Sequence, residues 1–317
     1  MRKFLTIFAL GVLLTAPGLR AQNVKFLAQW IPQSQFAGFY MALEKGYFAD
    51  EGLDVEILHL NGKASAALVD RLLDNEVQIA GHQMLQSMIS RSDGAEIVNV
   101  MQITQNTGLM AVSRTPINLI ADLDGKRVGK WHAGFSELCE IIENYSGIKV
   151  DWVPFVNGTN LYVYGVLDAT LCFSYSEYLN LKMAIGDIPE ENCVRMKDLN
   201  IPRVVEDGLY VSETYYKDNK DTVDKFVRAA KKGWDYTREH VDEAVNVTMR
   251  WCNNLNVPTN RVFQKMMLEE YLDLQVNDST GKADYAQISE ESFNVLMQVL
   301  MDTGLIVNKV EYKDMIR

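Results

Sequence analysis

From Asn23 onward, short apolar runs of strand length alternate with segments whose apolar residues recur at helical spacing. Neither a helical bundle nor an all-β sandwich satisfies that alternation, which specifies helices layered on sheets, an α/β protein. Val24 to Trp30 is expected to be a strand, Pro32 to Gln35 a polar turn, and Phe36 to Lys45 a helix with Gly46 as its C-cap. The unit repeats as strand Leu53 to Leu58, helix Ala64 to Leu73, strand Val77 to Ala80, helix Gln83 to Arg91 and strand Ile97 to Ile103. The polar run Gln105-Asn106-Thr107-Gly108 reads as a crossing to a second lobe. Strands Leu109 to Ser113, Lys126 to Gly129, Val150 to Phe155 and Ala169 to Phe173 follow, with helices Ser136 to Tyr145 and Glu177 to Ile185. From Lys220 to about Thr303 the chain is nearly all helical, and stripes such as Val223, Phe226, Val227, Ala230 and Trp234 are core-facing. Two lobes are expected, the first from 22–106 and 208–317 and the second from 107–207.

The first 21 residues are expected to be an address rather than part of the fold. Met1-Arg2-Lys3 is basic, Phe4 to Ala16 carries no charge, and Pro17 to Ala21 supplies a breaker and a small residue, the order of a secretory signal peptide. Thirteen apolar residues rise only about 20 Å as a helix, short of a roughly 30 Å hydrocarbon core. The formal charge is −11, from 31 Lys and Arg against 42 Asp and Glu. Removing Arg2, Lys3 and Arg20 leaves 28 basic residues against the same 42 acids, or −14. Such a field repels polyanions, which excludes nucleic acid as a partner.

Four cysteines (Cys139, Cys172, Cys193, Cys252) show no CxxC and read as buried thiols, with Cys172 and Cys193 the first pair to test for a disulfide. Four histidines show neither HExxH nor i,i+4 pairing, and GxGxxG, Walker A and GxSxG are absent from the sequence. No metal or cofactor is expected.

The block Gln29-Trp30-Ile31-Pro32-Gln33-Ser34-Gln35-Phe36-Ala37-Gly38-Phe39-Tyr40-Met41-Ala42-Leu43-Glu44-Lys45-Gly46-Tyr47-Phe48, followed by Glu51-Gly52-Leu53-Asp54-Val55-Glu56, resembles the opening of one group of periplasmic substrate-binding proteins. That group serves ABC importers and includes binders of thiamine pyrimidine precursors, alkanesulfonates and riboflavin. The resemblance continues through Asp122 to Gly129, Gly165 to Ala169, Glu206 to Tyr210, Phe226 to Ala229 and Lys232 to Trp234. It implies a type II-like fold of two hinge-connected α/β lobes that close over a ligand in the cleft. It also implies a soluble periplasmic protein whose partners are a small-molecule ligand and an importer permease; a monomer is expected.

Ligands in open α/β sheets bind beyond the carboxyl ends of strands. By that rule Trp30, Phe36 and Tyr40 face the cleft from the first lobe, with His82, and Trp131, Tyr175, Glu177 and Asp207 complete the candidate site. In the resembled pyrimidine-precursor binders a carboxylate after the strand equivalent to Ala169 to Phe173 pairs with the aminopyrimidine, which matches Tyr175-Ser176-Glu177 position by position. A carboxylate accepts from an amino group and a protonated ring nitrogen, while a flat ring stacks on aromatics. A sulfonate would instead call for Arg or Lys, or for helix N-terminal amides such as those of Gly134-Phe135-Ser136; Lys130 alone adds a cation. Core packing is the competing role for Trp30, Phe36 and Tyr40, a solvated helix start or hinge ion pair for Glu177 and Asp207, and a buried imidazole at a strand-to-helix turn for His82. The family also resembles a eukaryotic pyrimidine synthase with a cysteine-rich iron-binding segment. Here the aligned residues are Glu206-Asp207-Gly208-Leu209-Tyr210, without Cys, so a binding protein rather than an enzyme is expected.

Overall fold

The computed structural model describes residues 21–60, 66–132, 136–155, 159–196, 205–285 and 287–317. The expected signal segment up to residue 20, and Gly134 and Phe135, lie outside the described residues.

Ten strands form two five-stranded sheets: β1 (Gln22–Ala28), β2 (Leu53–His59), β3 (Ile79–Gln83), β4 (Ile97–Gln102), β5 (Leu109–Ser113), β6 (Arg127–Trp131), β7 (Asp151–Phe155), β8 (Ala169–Phe173), β9 (Cys193–Arg195) and β10 (Asp207–Ser212). The first sheet has the order β2-β1-β3-β10-β4 and the second β7-β6-β8-β5-β9. In the first, β1 is parallel to β2 and β3, while β10 runs antiparallel between β3 and β4. In the second, β6 is parallel to β7 and β8, while β5 runs antiparallel between β8 and β9. Each sheet is therefore completed by a strand that the chain lays down on crossing from the other.

Burial follows position. The edge strand β2 alternates, with Leu53, Val55 and Ile57 inward and Asp54 and Glu56 outward, as one covered face demands. The interior strands β5 and β8 are buried throughout, which explains their near-continuous apolar runs. Cys172 on β8 and Cys193 on β9 flank β5, whose Met110 pairs with Cys172 and Val112 with Cys193. Two strand spacings of about 4.8 Å each exceed the reach of a disulfide. The pair singled out for testing is thus not joined: all four cysteines are free thiols, as expected, with Cys139, Cys172 and Cys252 buried and Cys193 partly exposed.

The helix Ala37–Glu44 ends where Gly46 takes the left-handed conformation at φ +74°, as its C-cap reading required. This helix lies against Lys220–Glu239 and Val241–Asn254, and the latter packs on Arg261–Leu274. Gly38 permits the closest approach: a Cβ there would stand 2.1 Å from the Trp234 ring. Phe26, Phe39, Phe48 and Phe226 join the same cluster, with Phe48 and Phe226 stacked at 4.8 Å.

A cleft between two tryptophans

β1 ends at Ala28, and the chain leaves the sheet through Gln29, Trp30 and Ile31. The half-buried Trp30 is fixed from behind by its backbone. His59 Nδ1 lies 2.8 Å from the Trp30 carbonyl and His59 Nε2 lies 3.1 Å from the Tyr40 hydroxyl. A carbonyl only accepts, so Nδ1 carries the proton and Nε2 accepts from Tyr40. Burial pushes the His59 imidazole down to about 4, so it stays neutral at pH 7 and holds this tautomer. His59 was not anticipated; its place at the carboxyl end of β2 was the available signal.

From the second sheet, β6 ends on Trp131, and β8 leads through Ser174, Tyr175 and Ser176 into the helix Glu177–Ile185. Trp131 meets Trp30 edge to face, with ring centroids 6.1 Å apart, and is backed by Phe155 at 5.0 Å. A cavity of about 320 Å³ adjoins this pair. Its walls are Trp30 to Gln33 and Val257 to Asn260 with Phe263 and Gln264 on one side, and Trp131, Ser176, Glu177, Asn180 and Met183 on the other. Among the described residues lining it, none is Lys or Arg.

Glu177 is 4% exposed. Its Oε2 accepts from the Phe173 amide at 2.9 Å and its Oε1 from the Ser176 hydroxyl at 3.0 Å. Burial raises its carboxyl to about 6 against the downward pull of those hydrogen bonds, so the group is mainly ionised at pH 7 with further lone-pair capacity. The cavity thus pairs aromatic faces with a desolvated anion, which suits a flat ring bearing N–H donors.

Beneath the cavity, at the crossing between the sheets, two adjacent carboxylates are buried. Glu206 accepts from the Thr107 hydroxyl and the Gly108 amide, both at 2.6 Å, and from the Tyr175 hydroxyl at 3.2 Å. Burial, then the charge of Asp207, push Glu206 up to about 8. It therefore keeps its proton at neutral pH. Burial raises the Asp207 carboxyl too, against the downward pull of its hydrogen bonds from Tyr271 and Gln35. Asp207 Oδ2 accepts from Gln35 Nε2 at 2.5 Å and from the Tyr271 hydroxyl at 2.7 Å.

Of the eight expected site residues, the structure brings Trp30, Trp131 and Glu177 to the cavity wall. Phe36 and Tyr40 are buried behind Trp30, where Tyr40 stacks on Trp251 at 4.8 Å and Phe36 meets the His59 ring. Tyr175 and Asp207 lie at the crossing, Tyr175 packed between Phe173 and Tyr271. His82 sits within β3 opposite Gly208, not at a strand-to-helix turn, because pairing with β10 extends β3 to Gln83. Its ring is buried against Tyr210, accepts from the Gln83 amide at 2.8 Å and is held at about 4 by desolvation. Lys130 Nζ bonds the Ser136 hydroxyl at 3.2 Å, and Gln102 donates to the Asp207 carbonyl at 2.9 Å. Gln33, Asn180 and the segment 257–264 were missed. Pro258 followed by the N-cap Asn260 is a helix break inside a stretch read as continuous helix, and was the signal for the last.

Two sheets of one strand order, each completed by a strand laid down after the chain crosses from the other and facing each other across a cleft, define the two-lobed fold of periplasmic binding proteins. The chain superposes on the periplasmic aliphatic sulphonate binding protein SsuA from Escherichia coli with a TM-score of 0.67, covering 93% of this chain and 92% of that one at 14% identity. It belongs to the NMT1/THI5-like family, whose model matches residues 33–244. It is 26% identical to a formylaminopyrimidine-binding protein of Halalkalibacterium halodurans, over 81% of this chain and 78% of that one. It is 24% identical to the riboflavin-binding protein RibY of Chloroflexus aurantiacus, over 92% and 83%. A 4-amino-5-hydroxymethyl-2-methylpyrimidine phosphate synthase of Candida albicans is also 24% identical, over 87% and 80%.

Proposed function

We propose that this protein is an exported receptor that captures a small amino-substituted aromatic heterocycle, a thiamine pyrimidine precursor in particular, and hands it to an ABC-importer permease. The observation that carries this reading is the cavity itself: Trp30 and Trp131 at one end, the buried Glu177 carboxylate on its wall, and no cationic side chain among the described lining residues. At about 320 Å³ it lies near the lower end of the roughly 300–1,000 Å³ of small-molecule sites, which favours a single ring over a flavin. The similarity to a formylaminopyrimidine-binding protein points the same way.

Binding rather than catalysis is supported by the absence of Cys from Glu206 to Tyr210, where the resembled synthase carries its cysteine-rich segment. Groups of three or more His, Cys, Asp or Glu arranged to hold a metal do not occur among the described residues. No helix among the described residues is long and apolar enough to cross a membrane, and the basic-apolar start of the chain supports export and release. Isothermal titration with 4-amino-5-hydroxymethyl-2-methylpyrimidine, riboflavin and an alkanesulfonate tests the choice. A saturable one-to-one isotherm with the pyrimidine and flat traces with the others are expected; the reverse pattern overturns it.

A further inference from the structure

Three polar side chains connect the buried crossing to the cavity wall in a single directed line. Asp207 is fully buried on the first residue of β10. Its Oδ2 accepts from Gln35 Nε2 at 2.5 Å, and Gln35 Oε1 in turn accepts from Gln33 Nε2 at 2.6 Å. Gln33 is itself part of the cavity wall.

Asp207 Oδ2 accepts from two donors at once, Gln35 and the Tyr271 hydroxyl, whereas a carboxamide donates from one end and accepts at the other. The polarity of the line is therefore set at Asp207. Gln35 must turn its NH2 group inward, which leaves its carbonyl outward; that carbonyl takes the Gln33 NH2 group and leaves the Gln33 carbonyl oxygen for the cavity. Amide orientation here follows from the hydrogen-bond network, and the network has a fixed anchor. The Tyr271 hydroxyl donates to the same Oδ2 at 2.7 Å, so the anchor is held from a second element.

The structure assigns Asp207 and Gln35 as positioning residues that orient the Gln33 amide, so that the cavity presents two acceptors, the Gln33 carbonyl and the Glu177 carboxylate, and selects ligands by the donors they carry. The assignment rests on the proposed pyrimidine-binding role and deepens it. A 4-amino ring places an N–H where the cavity has an acceptor. The 4-oxo counterpart places a carbonyl there, and two desolvated acceptors face each other, a mismatch of the kind that buried polar sites reject strongly.

The test is the ratio of affinities for 4-amino-5-hydroxymethyl-2-methylpyrimidine and its 4-oxo counterpart, measured by calorimetry on the whole protein and on two variants. The unmodified protein is expected to favour the amino compound by about a hundredfold or more. In Asp207→Asn the anchor can donate, Gln35 and Gln33 can reverse, and the ratio is expected to fall at least tenfold. Gln33→Leu removes the acceptor and lowers the ratio similarly; this wall residue decides the matter if Asp207→Asn does not fold, as judged by circular dichroism. A merely structural role for Asp207 weakens both ligands alike and leaves the ratio unchanged. An unchanged ratio in the folded variants overturns the assignment while the pyrimidine reading stands. Failure of the unmodified protein to bind either compound overturns the pyrimidine reading itself, and the assignment with it.

Discussion

The two sheets share one strand order yet are clothed very differently. The largest fully buried side chains among the described residues, led by Trp234, Tyr40, Tyr210 and Tyr271, all belong to the first sheet and the helices around it. None of them lies around the second sheet, while exposed apolar side chains occur on both halves, Tyr145, Tyr164 and Met183 on the second and Val262, Val295 and Val307 on the first. The same topology thus serves as a heavily packed platform on one side and a thinner jaw on the other. Both supply the cleft, but the platform fixes Trp30 through His59 while the jaw contributes Trp131 and the Glu177 carboxylate.

The sharpest way to break this comparison is to thin the platform. Trp234→Ala removes a ring packed on Gly38, Phe39 and Tyr271 and is expected to cost about 3–5 kcal/mol, read from urea denaturation. Tyr145→Ser on the exposed face of the jaw should stay within about 0.5 kcal/mol. Comparable losses from the two would mean that the halves are equally packed.

The jaw's contribution to binding comes next. Glu177→Gln keeps the shape of the cavity and removes its charge, so affinity for the aminopyrimidine should fall by about 1.5–3 kcal/mol while the thermal midpoint of the ligand-free protein holds. Because the Glu177 carboxyl titrates at about 6, affinity in the unmodified protein should also weaken as pH drops below that value. Titrations at pH 7.5 and 5 check both statements.

The crossing between the halves responds to pH in the opposite direction. Glu206 is held at about 8, above the value near 4.3 of an unfolded glutamate. Between those limits the folded state binds a proton that the unfolded state does not, so stability falls as pH rises. The buried His59 and His82, held near 4, act the other way: each costs about 0.4 kcal/mol at pH 6.5, where the unfolded imidazole is half protonated, and almost nothing at pH 8. Between pH 6.5 and 8 the Glu206 loss of about 1.7 kcal/mol is therefore partly offset, and roughly 1 kcal/mol net should be lost. Denaturation midpoints at the two pH values measure it, and Glu206→Gln should reverse the sign of the difference, leaving the histidine trend.

Much of the architecture was legible because periodicity reports burial. The bounds of β5, β8 and the helix Glu177–Ile185 coincide with their expected ranges, since each is a strongly patterned run closed by turn or breaker residues such as Gly108, Asp168 and Gly186. The antiparallel insertion of β10 was not legible: Asp207 to Ser212 is buried throughout through contact with β3 and β4, which are remote in sequence. That insertion also moved His82 from a turn into a strand. Trp30, Trp131 and Glu177 follow strand ends and reach the cavity wall, where that rule puts them. Phe36 and Tyr40 satisfy the same rule one helical turn further on, but the helices beyond residue 220 cover them. Gln33 carries no pattern of its own, and its importance comes from the line of hydrogen bonds behind it.

The exchange of strands between the sheets has a consequence for how the molecule is made. As the chain emerges from its N-terminus, β1, β2, β3 and β4 are all available early, but β3 and β4 are not neighbours; the slot between them waits for Asp207 to Ser212. By then the whole second sheet has been synthesised. The platform is therefore finished after the jaw that it supports: in a nascent chain shorter than about 212 residues the edge of β3 is unpaired and β4 has no strand to join, an opening of the kind other strands pair with.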